Sequence, residues 1–334
     1  MAKMNRAFLD CTYNNKNISA GLAPHTLSFS YTDNEGGKAD DLNIQLEDSQ
    51  GLWKDAWLPR KGAVITAVIR TEGNRQLNCG TFAVDQVDLS GPPDTVTLKA
   101  VSSFTAKSLK QEKKSRSWEK ITLEAVAKEI ADEHSLGFFY SVSELVGYAR
   151  LDQREESDLA FLKRLCKDQD CNLKLSGEKL IIFESRTLEQ IAPAFTLTRG
   201  KDPISRFSFS TKTCEIFRGC EVSYWDADKK IEQKHLFIPP GAPATGEVLK
   251  LNKRMESLAD ARSKARAALR RKNKQEVTGN LNLMGDTRLL SGLTFTLSGW
   301  GAFDGKYIVE SASHNQTRDS GYQTGIKIRK VVAW

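Results

Sequence analysis

The residues that could do chemistry are few and far apart. Four histidines, His25, His134, His235 and His314, are spread along 334 residues, and none stands at metal-ligand spacing from another. Cys166 and Cys171, like Cys214 and Cys220, lack the paired knuckles of a structural zinc site, and Cys166 also fits the apolar stripe of a helix. Gly36–Gly37 and the Gly299, Gly301 pair do not make a phosphate-cradling glycine pattern. Asp152, Glu155, Glu156 and Asp158 supply carboxylates for acid–base work, but they crowd the approach to a helix, where exposure and capping explain them. No Ser, His and Asp set carries a nucleophile elbow. The pattern supports no catalytic residue, no metal site and no cofactor site, so an enzyme is not expected.

One basic stretch remains. Residues 254–274 hold eight Lys or Arg against Glu256 and Asp260. A groove-reading helix wants such charge, but also side chains able to reach bases and a coupled partner helix, and neither precedes Asn273. A solvated face, or one meeting an acidic neighbour, is the expectation, with DNA only as cargo passing through a pore. The net charge of +7, with 27% charged and 40% hydrophobic residues, fits a soluble globular chain. No run reaches membrane-spanning length, and the start MAKMNRAFLDC lacks the apolar stretch of a signal peptide. Six scattered cysteines favour free thiols made in a reducing cytosol.

The elements fall into two β-rich regions around a helical block. Residues 24–31, 40–48 and 63–70 alternate at period two, and Cys79–Val87 and Asp94–Ala100 add strands after a turn at Gly73–Asn74. A helix is expected to open at Trp118, near residue 119, with Leu123, Val126, Ala127 and Ile130 on its apolar face. A second runs from Ser157 to Asp168, capped by Ser157 or Asp158, and a hairpin turns at Gly177. Further strands are expected at Ile204–Ser210, Cys214–Trp225, Glu276–Leu283, Thr294–Leu297, Tyr307–His314 and Gly325–Val332, with a helix over Arg254–Arg271. The wet side of that helix carries Arg262, Lys264, Arg266, Arg270, Arg271 and Lys272. A repeat of one β module around a helix is plausible as a pattern, though residues cannot be matched from sequence. The expected organisation is a first β domain over 1–110, a helical α+β domain over 111–185, and a second β domain over 186–334 with an inserted helix near 254–272.

Four stretches together carry a resemblance: DLNIQLEDSQGLWKDAWLPRKGAVI (Asp41–Ile65), SWEKITLEAVAKEIADEHSLGF (Ser117–Phe138), LDQREESDLAFLKRLCKDQDCNLKLSGEKLIIF (Leu151–Phe183) and LSGLTFTLSGWGAFDGKYIVESASHN (Leu290–Asn315). The chain resembles the tail hub proteins of contractile phages, the late control protein D family, and the hub part of the valine–glycine repeat proteins of type VI secretion. Cys171 stands where the family usually has a small residue. The resemblance implies a mainly β fold with α+β insertions: two tube-like β-barrel domains and a small outer α/β domain. It implies a homotrimer in a tail baseplate or tail-like particle, joining a threefold spike to a sixfold tube. Partners would be a central spike protein, a tail tube protein or its initiator, a tape-measure protein and surrounding baseplate proteins. Trp53 and Trp57 are candidate interface anchors, with core burial as the rival reading. Trp300 and Phe303 would contact spike or tube, or plug the end of their own barrel. A cell-wall binding or degrading protein and a nucleic-acid-binding protein are the alternatives.

Overall fold

The computed structural model describes residues 6–102, 107–144, 146–226, 230–255, 258–332 and 334. The alternating segments form strands that bury one face, as period two dictates. Asp41–Glu47 buries Leu42, Ile44 and Leu46, and Thr95–Val101 buries Val96, Leu98 and Ala100. Among the described residues thirteen strands share one sheet. Its path runs Ile204–Thr211, Val277–Met284, Gly321–Lys330, Gly305–Thr317, Thr26–Asn34, Asp41–Glu47, Thr95–Val101, Gln76–Ser90, Val64–Thr71, Ala7–Tyr13 and Lys16–Asn17. Thr294–Ser298 pairs with the start of Gly305–Thr317, and Thr196–Thr198 lies beside Thr294–Ser298.

The same five-strand order occurs twice. Thr26–Asn34, Asp41–Glu47, Thr95–Val101, Gln76–Ser90 and Val64–Thr71 are adjacent and antiparallel. Ile204–Thr211, Val277–Met284, Gly321–Lys330, Gly305–Thr317 and Thr294–Ser298 repeat that arrangement. The match extends to single residues. The cross-strand row Tyr31, Leu42, Ala100, Val84 corresponds to Phe209, Gly279, Ile328, Val309. Each long strand shifts register against its following partner, between Val84 and Gln86 opposite Thr95–Val101 and between Val309 and Ser311 opposite Gly321–Lys330. At that place the Gly62 N–H donates to the Val84 carbonyl (2.7 Å), and the Gly292 N–H donates to the Val309 carbonyl (2.8 Å). Both glycines have positive φ, +83° and +78°. The two copies join directly, because Ser311–Thr317 of the second pairs with Ser28–Asn34 of the first.

That junction corrects the expectation of two barrels: among the described residues no sheet closes on itself. The end strands of the path, Ile204–Thr211 and Lys16–Asn17, do not pair. In the first copy, Ala7–Tyr13 does not reach Thr26–Asn34. The place beside Thr26–Asn34 is already taken by Gly305–Thr317, and a groove of about 1040 Å³ lined by Ala7, Phe8, Leu9, Leu27, Phe29 and Gln316 separates the two edges. The fold is therefore mixed α/β and dominated by open sheets. Alternation buries one face in a barrel and in an open sheet alike, so sequence period does not decide closure.

The helical block has its own core. Leu123–Glu133 and Asp158–Asp168 pack Val126, Ile130, Phe161, Leu162 and Leu165 against a three-stranded sheet of Cys171–Ser176, Lys179–Glu184 and Gly137–Ser141. Ser157 caps the second helix, accepting from the Ala160 N–H at 3.3 Å. The first helix starts later than the pattern predicts. Lys113–Thr122 is a strand paired with Gly147–Ser157, and Thr122 is the cap, accepting from the Ala125 N–H at 3.1 Å. A further sheet of Ile231–Phe237, Gly219–Asp226 and Val248–Met255 carries the helix Leu258–Asn273, which packs Ala261, Ala265, Ala268 and Leu269 onto Cys220 and Val222. Arg254, expected to begin that helix, belongs to the strand before it, and residues 256 and 257 lie outside the described ones.

Candidate assembly surface

The loop between Asp41–Glu47 and Val64–Thr71 holds the first tryptophan pair. The Asp48 carboxylate accepts from the N–H groups of Trp53 (2.9 Å) and Lys54 (3.0 Å), which fixes the loop. Trp53 is 6% exposed and belongs to the first core. Trp57 is 46% exposed, with its ring edge-on to Trp53 at 5.3 Å. Leu58 beside it is also exposed. Behind the loop a cavity of about 530 Å³ is lined by Cys11, Ile44, Trp53, Trp57, Ile65 and Leu98. One tryptophan is thus a core residue, and the other is a surface aromatic held at the rim of an apolar cavity.

The second pair sits in the turn between Thr294–Ser298 and Gly305–Thr317. The Asp304 carboxylate accepts from Gly299 N–H (3.1 Å) and Trp300 N–H (2.7 Å), which tightens the turn. Phe303 stacks on Phe209 at 5.2 Å, and Trp300 lies edge-on to Phe207 and Phe209 at 6.0 Å. Trp300 is buried and packs into the second core with Phe303 against it. The structure brings Trp53 to Trp57 and Trp300 to Phe303, but the two pairs lie in different clusters.

A polar cluster that sequence spacing misses lies in the helical block. The His134 Nε2 is 2.9 Å from Asp158 Oδ2, and its Nδ1 is 3.0 Å from Ser108 Oγ. The row has the look of a hydroxyl–imidazole–carboxylate relay. The carboxylate is already committed, however. Asp158 is fully buried and accepts from Lys114 (2.8 Å), Arg116 (2.7 Å) and Gln153 (2.9 Å). Burial pushes its carboxyl up, but the bonds from His134, Lys114 and Gln153 and the Arg116 charge outweigh burial and hold it at about 2. A carboxylate balanced by two cations has little charge left to stabilise an imidazolium. Glu133, His134 and Asp158 also offer ligand atoms within 4.8 Å of one another. Lys114 and Arg116 take the Glu133 oxygens as well, so the donor set does not suit a cation. The arrangement fastens the edge strand to the two helices.

The basic helix keeps Arg262 exposed and pairs Lys264 with Asp260 one turn back, but turns most of its other cations onto the rest of the chain. Arg270, 3% exposed, donates to Glu189 at 2.6 Å and to the Trp334 carbonyl. Arg266 forms a two-pronged pair with Glu144 at 2.7 and 2.6 Å, Arg271 donates to the Lys167 carbonyl, and Lys272 pairs with Glu215. Arg262 stays exposed, but a helix with most of its cations spent on its own chain offers little to a phosphate backbone. Glu189 also accepts from Arg329, which lies between Glu35 and Glu310. Lys174 reaches across from the helical block to Asp33 (2.6 Å) and Asp40 (3.1 Å). Lone charges carry no periodic signal, so these ties are invisible in the sequence.

Two tandem copies of one sheet motif, joined by the pairing of Ser311–Thr317 with Ser28–Asn34 and edged by exposed strands, are the main feature of the fold. The chain belongs to the phage tail baseplate hub (GPD) family, whose model matches residues 94–320. It is 29% identical over 206 residues to a probable baseplate hub protein of Escherichia phage 186, covering 60% of this chain and 52% of that protein. A probable baseplate hub protein of Escherichia phage P2 is 30% identical over 203 residues, covering 59% and 51%. The chain thus spans about half the length of the curated relatives it matches. In fold it is similar to a tail protein from Neisseria meningitidis MC58 (TM-score 0.73, 13% identity, 97% of both chains). It is also similar to the 43 kDa tail protein of prophage MuSo2 from Shewanella oneidensis (TM-score 0.75, 12% identity, 97% and 98%). A third similar structure is the E. coli c3393 protein, a type VI secretion component described as similar to phage T4 tail proteins gp27 and gp5 (TM-score 0.60, 12% identity, 92% and 74%).

Among the described residues no helix is long and apolar enough to cross a membrane.

Proposed function

We propose that this chain is a structural hub of a contractile-tail baseplate, assembling as a trimer in which six equivalent sheet units surround an axis. The observation that carries the reading is the residue-by-residue duplication of the five-strand unit within one chain. Three chains with two equivalent units each have threefold symmetry in sequence and near-sixfold symmetry in backbone. That is the geometry needed between a threefold spike and a sixfold tube. Sheet edges pairing between neighbours would satisfy exposed N–H and C=O groups and stop open-ended growth.

In this reading the chain divides into a first unit over 1–110, an outer block over 111–185 and a second unit over 186–334. A spike protein caps one side. The tail tube or its initiator and the tape-measure protein approach from the other. The outer block meets surrounding baseplate proteins. Trp57, supported from behind by Trp53, is the anchor proposed at an interface, and Trp300 with Phe303 shapes the end of the second unit facing spike or tube. The role is mechanical, and DNA is cargo passing the axis.

Electron cryo-microscopy of the assembled tail tests this. Three copies around the axis, with both units at one radius, are expected. A single unit at the channel wall, or a chain placed off the axis, overturns it.

A further inference from the structure

The geometry points to a specific contact between copies: the edge Gln86–Ser90 of one copy pairs antiparallel with Ser208–Lys212 of the next. The inference rests on the hub reading above and names the strands that close its ring. Within the chain, the second unit meets the first through Ser311–Thr317, which continues past the register shift at Val309 and pairs with Ser28–Asn34. The first unit has the same continuation past its own shift at Val84, namely Gln86–Ser90. Among the described residues, that stretch has a strand neighbour on one side only, Thr95–Val101. The counterpart of Thr26–Asn34 is Ile204–Thr211, and it too has one neighbour, Val277–Met284. Each chain therefore carries both halves of the junction it already contains, unpaired, at opposite ends of the duplicated sheet.

Exposure supports the match. At the internal junction His314 is fully buried and stacks on Tyr31, with ring centroids 6.0 Å apart. Counting from the register shifts, the counterpart of His314 is Leu89, and the counterpart of Tyr31 is Phe209. Leu89 is 57% exposed, and Phe207, which would lie diagonal to it, is 43% exposed. Apolar side chains in those positions are what a strand edge awaiting a partner leaves in water. Carrying over the register Ser311 to Asn34 and His314 to Tyr31 sets Gln86 opposite Lys212, Asp88 opposite Ser210 and Leu89 opposite Phe209. Asp88, which already pairs with Lys99 at 2.9 Å, then lies diagonal to Lys212 on one face, a second attractive neighbour. The Glu35 N–H donates to the Glu310 carbonyl at 2.9 Å inside the chain, and its counterpart is the Thr213 N–H donating to the Asp85 carbonyl of the neighbour.

That bond alternation makes Asp88 and Ser210 a non-hydrogen-bonded pair, the kind with the closest Cβ atoms. The test uses the full chain with the exposed Cys214 changed to Ser, so that it does not compete. Asp88→Cys and Ser210→Cys are made separately, mixed and oxidised, with peptide mapping of the product and light scattering of the untreated protein. A disulfide-linked dimer from the mixture, absent from either variant alone and from Val87→Cys mixed with Ser210→Cys, is expected. The variant carrying both changes should run to covalent trimers. A trimer in solution without the 88–210 link overturns this pairing and leaves the hub reading standing. A monomer at every concentration, without the link, overturns both.

Discussion

Gly62 and Gly292 show how far the duplication reaches into single residues. Both stand at positive φ where the chain turns to bond the register-shifted strand, and both use the freedom of a missing Cβ. A Cβ at Gly62 would meet nothing, whereas one at Gly292 would lie 2.9 Å from Leu188 Cδ1. Gly62→Ala should cost about 1–2 kcal/mol from backbone strain alone. Gly292→Ala should carry the same strain, the Leu188 methyl at the end of a half-buried side chain moving aside. Urea unfolding of the two variants checks this, and a cost near zero at either position would contradict it. Asp158 tests the polar cluster. Its carboxyl is held below the ordinary range, so the stability it supplies is fully present above about pH 4 and fades as pH falls toward 2. Asp158→Ala should cost about 1–3 kcal/mol at neutral pH, because it removes the buried acceptor of Lys114, Arg116, His134 and Gln153 while Glu133 still faces the two cations. The variant should also lose less stability than the wild type between pH 4 and 2. Parallel curves across that window would sink the assignment.

At the scale of elements, what could be read in the sequence depended on whether burial left a periodic mark. Asp41–Glu47 and Thr95–Val101 alternate cleanly, since one face is core and the other is wet. Lys113–Thr122 is a half-exposed strand in a two-stranded ribbon, and KKSRSWEKIT shows no apolar alternation, so the helix after it is expected too early. The helix Leu258–Asn273 shows the opposite failure. Its narrow alanine stripe is legible, but its cations read as a wet face. Long side chains let charged groups on the helix flank reach back to Glu144, Glu189 and Glu215, which no spacing rule anticipates. Of the four aromatic candidates, the sequence placed both pairs in the right loops. It could not tell core from surface, because Trp53 and Trp57 are four residues apart in an irregular segment with no period to separate their faces.

For the whole molecule, the two units are held together by more than one kind of contact. Hydrophobic packing falls into separate clusters, with Tyr322 and Leu290 of the second unit packed into the first core, and further ties add to that contact. The sheet junction at Ser28–Asn34 is one, and the buried charges around Glu189 are another. Glu189 takes Arg329 from the last strand and Arg270 from the inserted helix, both at 2.6 Å, and Arg329 also faces Glu35 of the first unit and Glu310 of the second. Burial pushes the Glu189 carboxyl up, yet the two guanidinium groups hold it below its usual range. Glu189→Gln removes that charge while keeping the shape. It leaves two buried guanidinium groups short of a counter-charge, at a cost of about 3–5 kcal/mol. Calorimetry should show the wild type unfolding in one transition and Glu189→Gln unfolding at a lower temperature with the transition broadened or split. Glu178→Gln, on an exposed turn, should differ from the wild type by about 0.5 kcal/mol or less. If Glu189→Gln melts like Glu178→Gln, the charges are passengers, and the sheet junction with the Tyr322 and Leu290 contact holds the two units together.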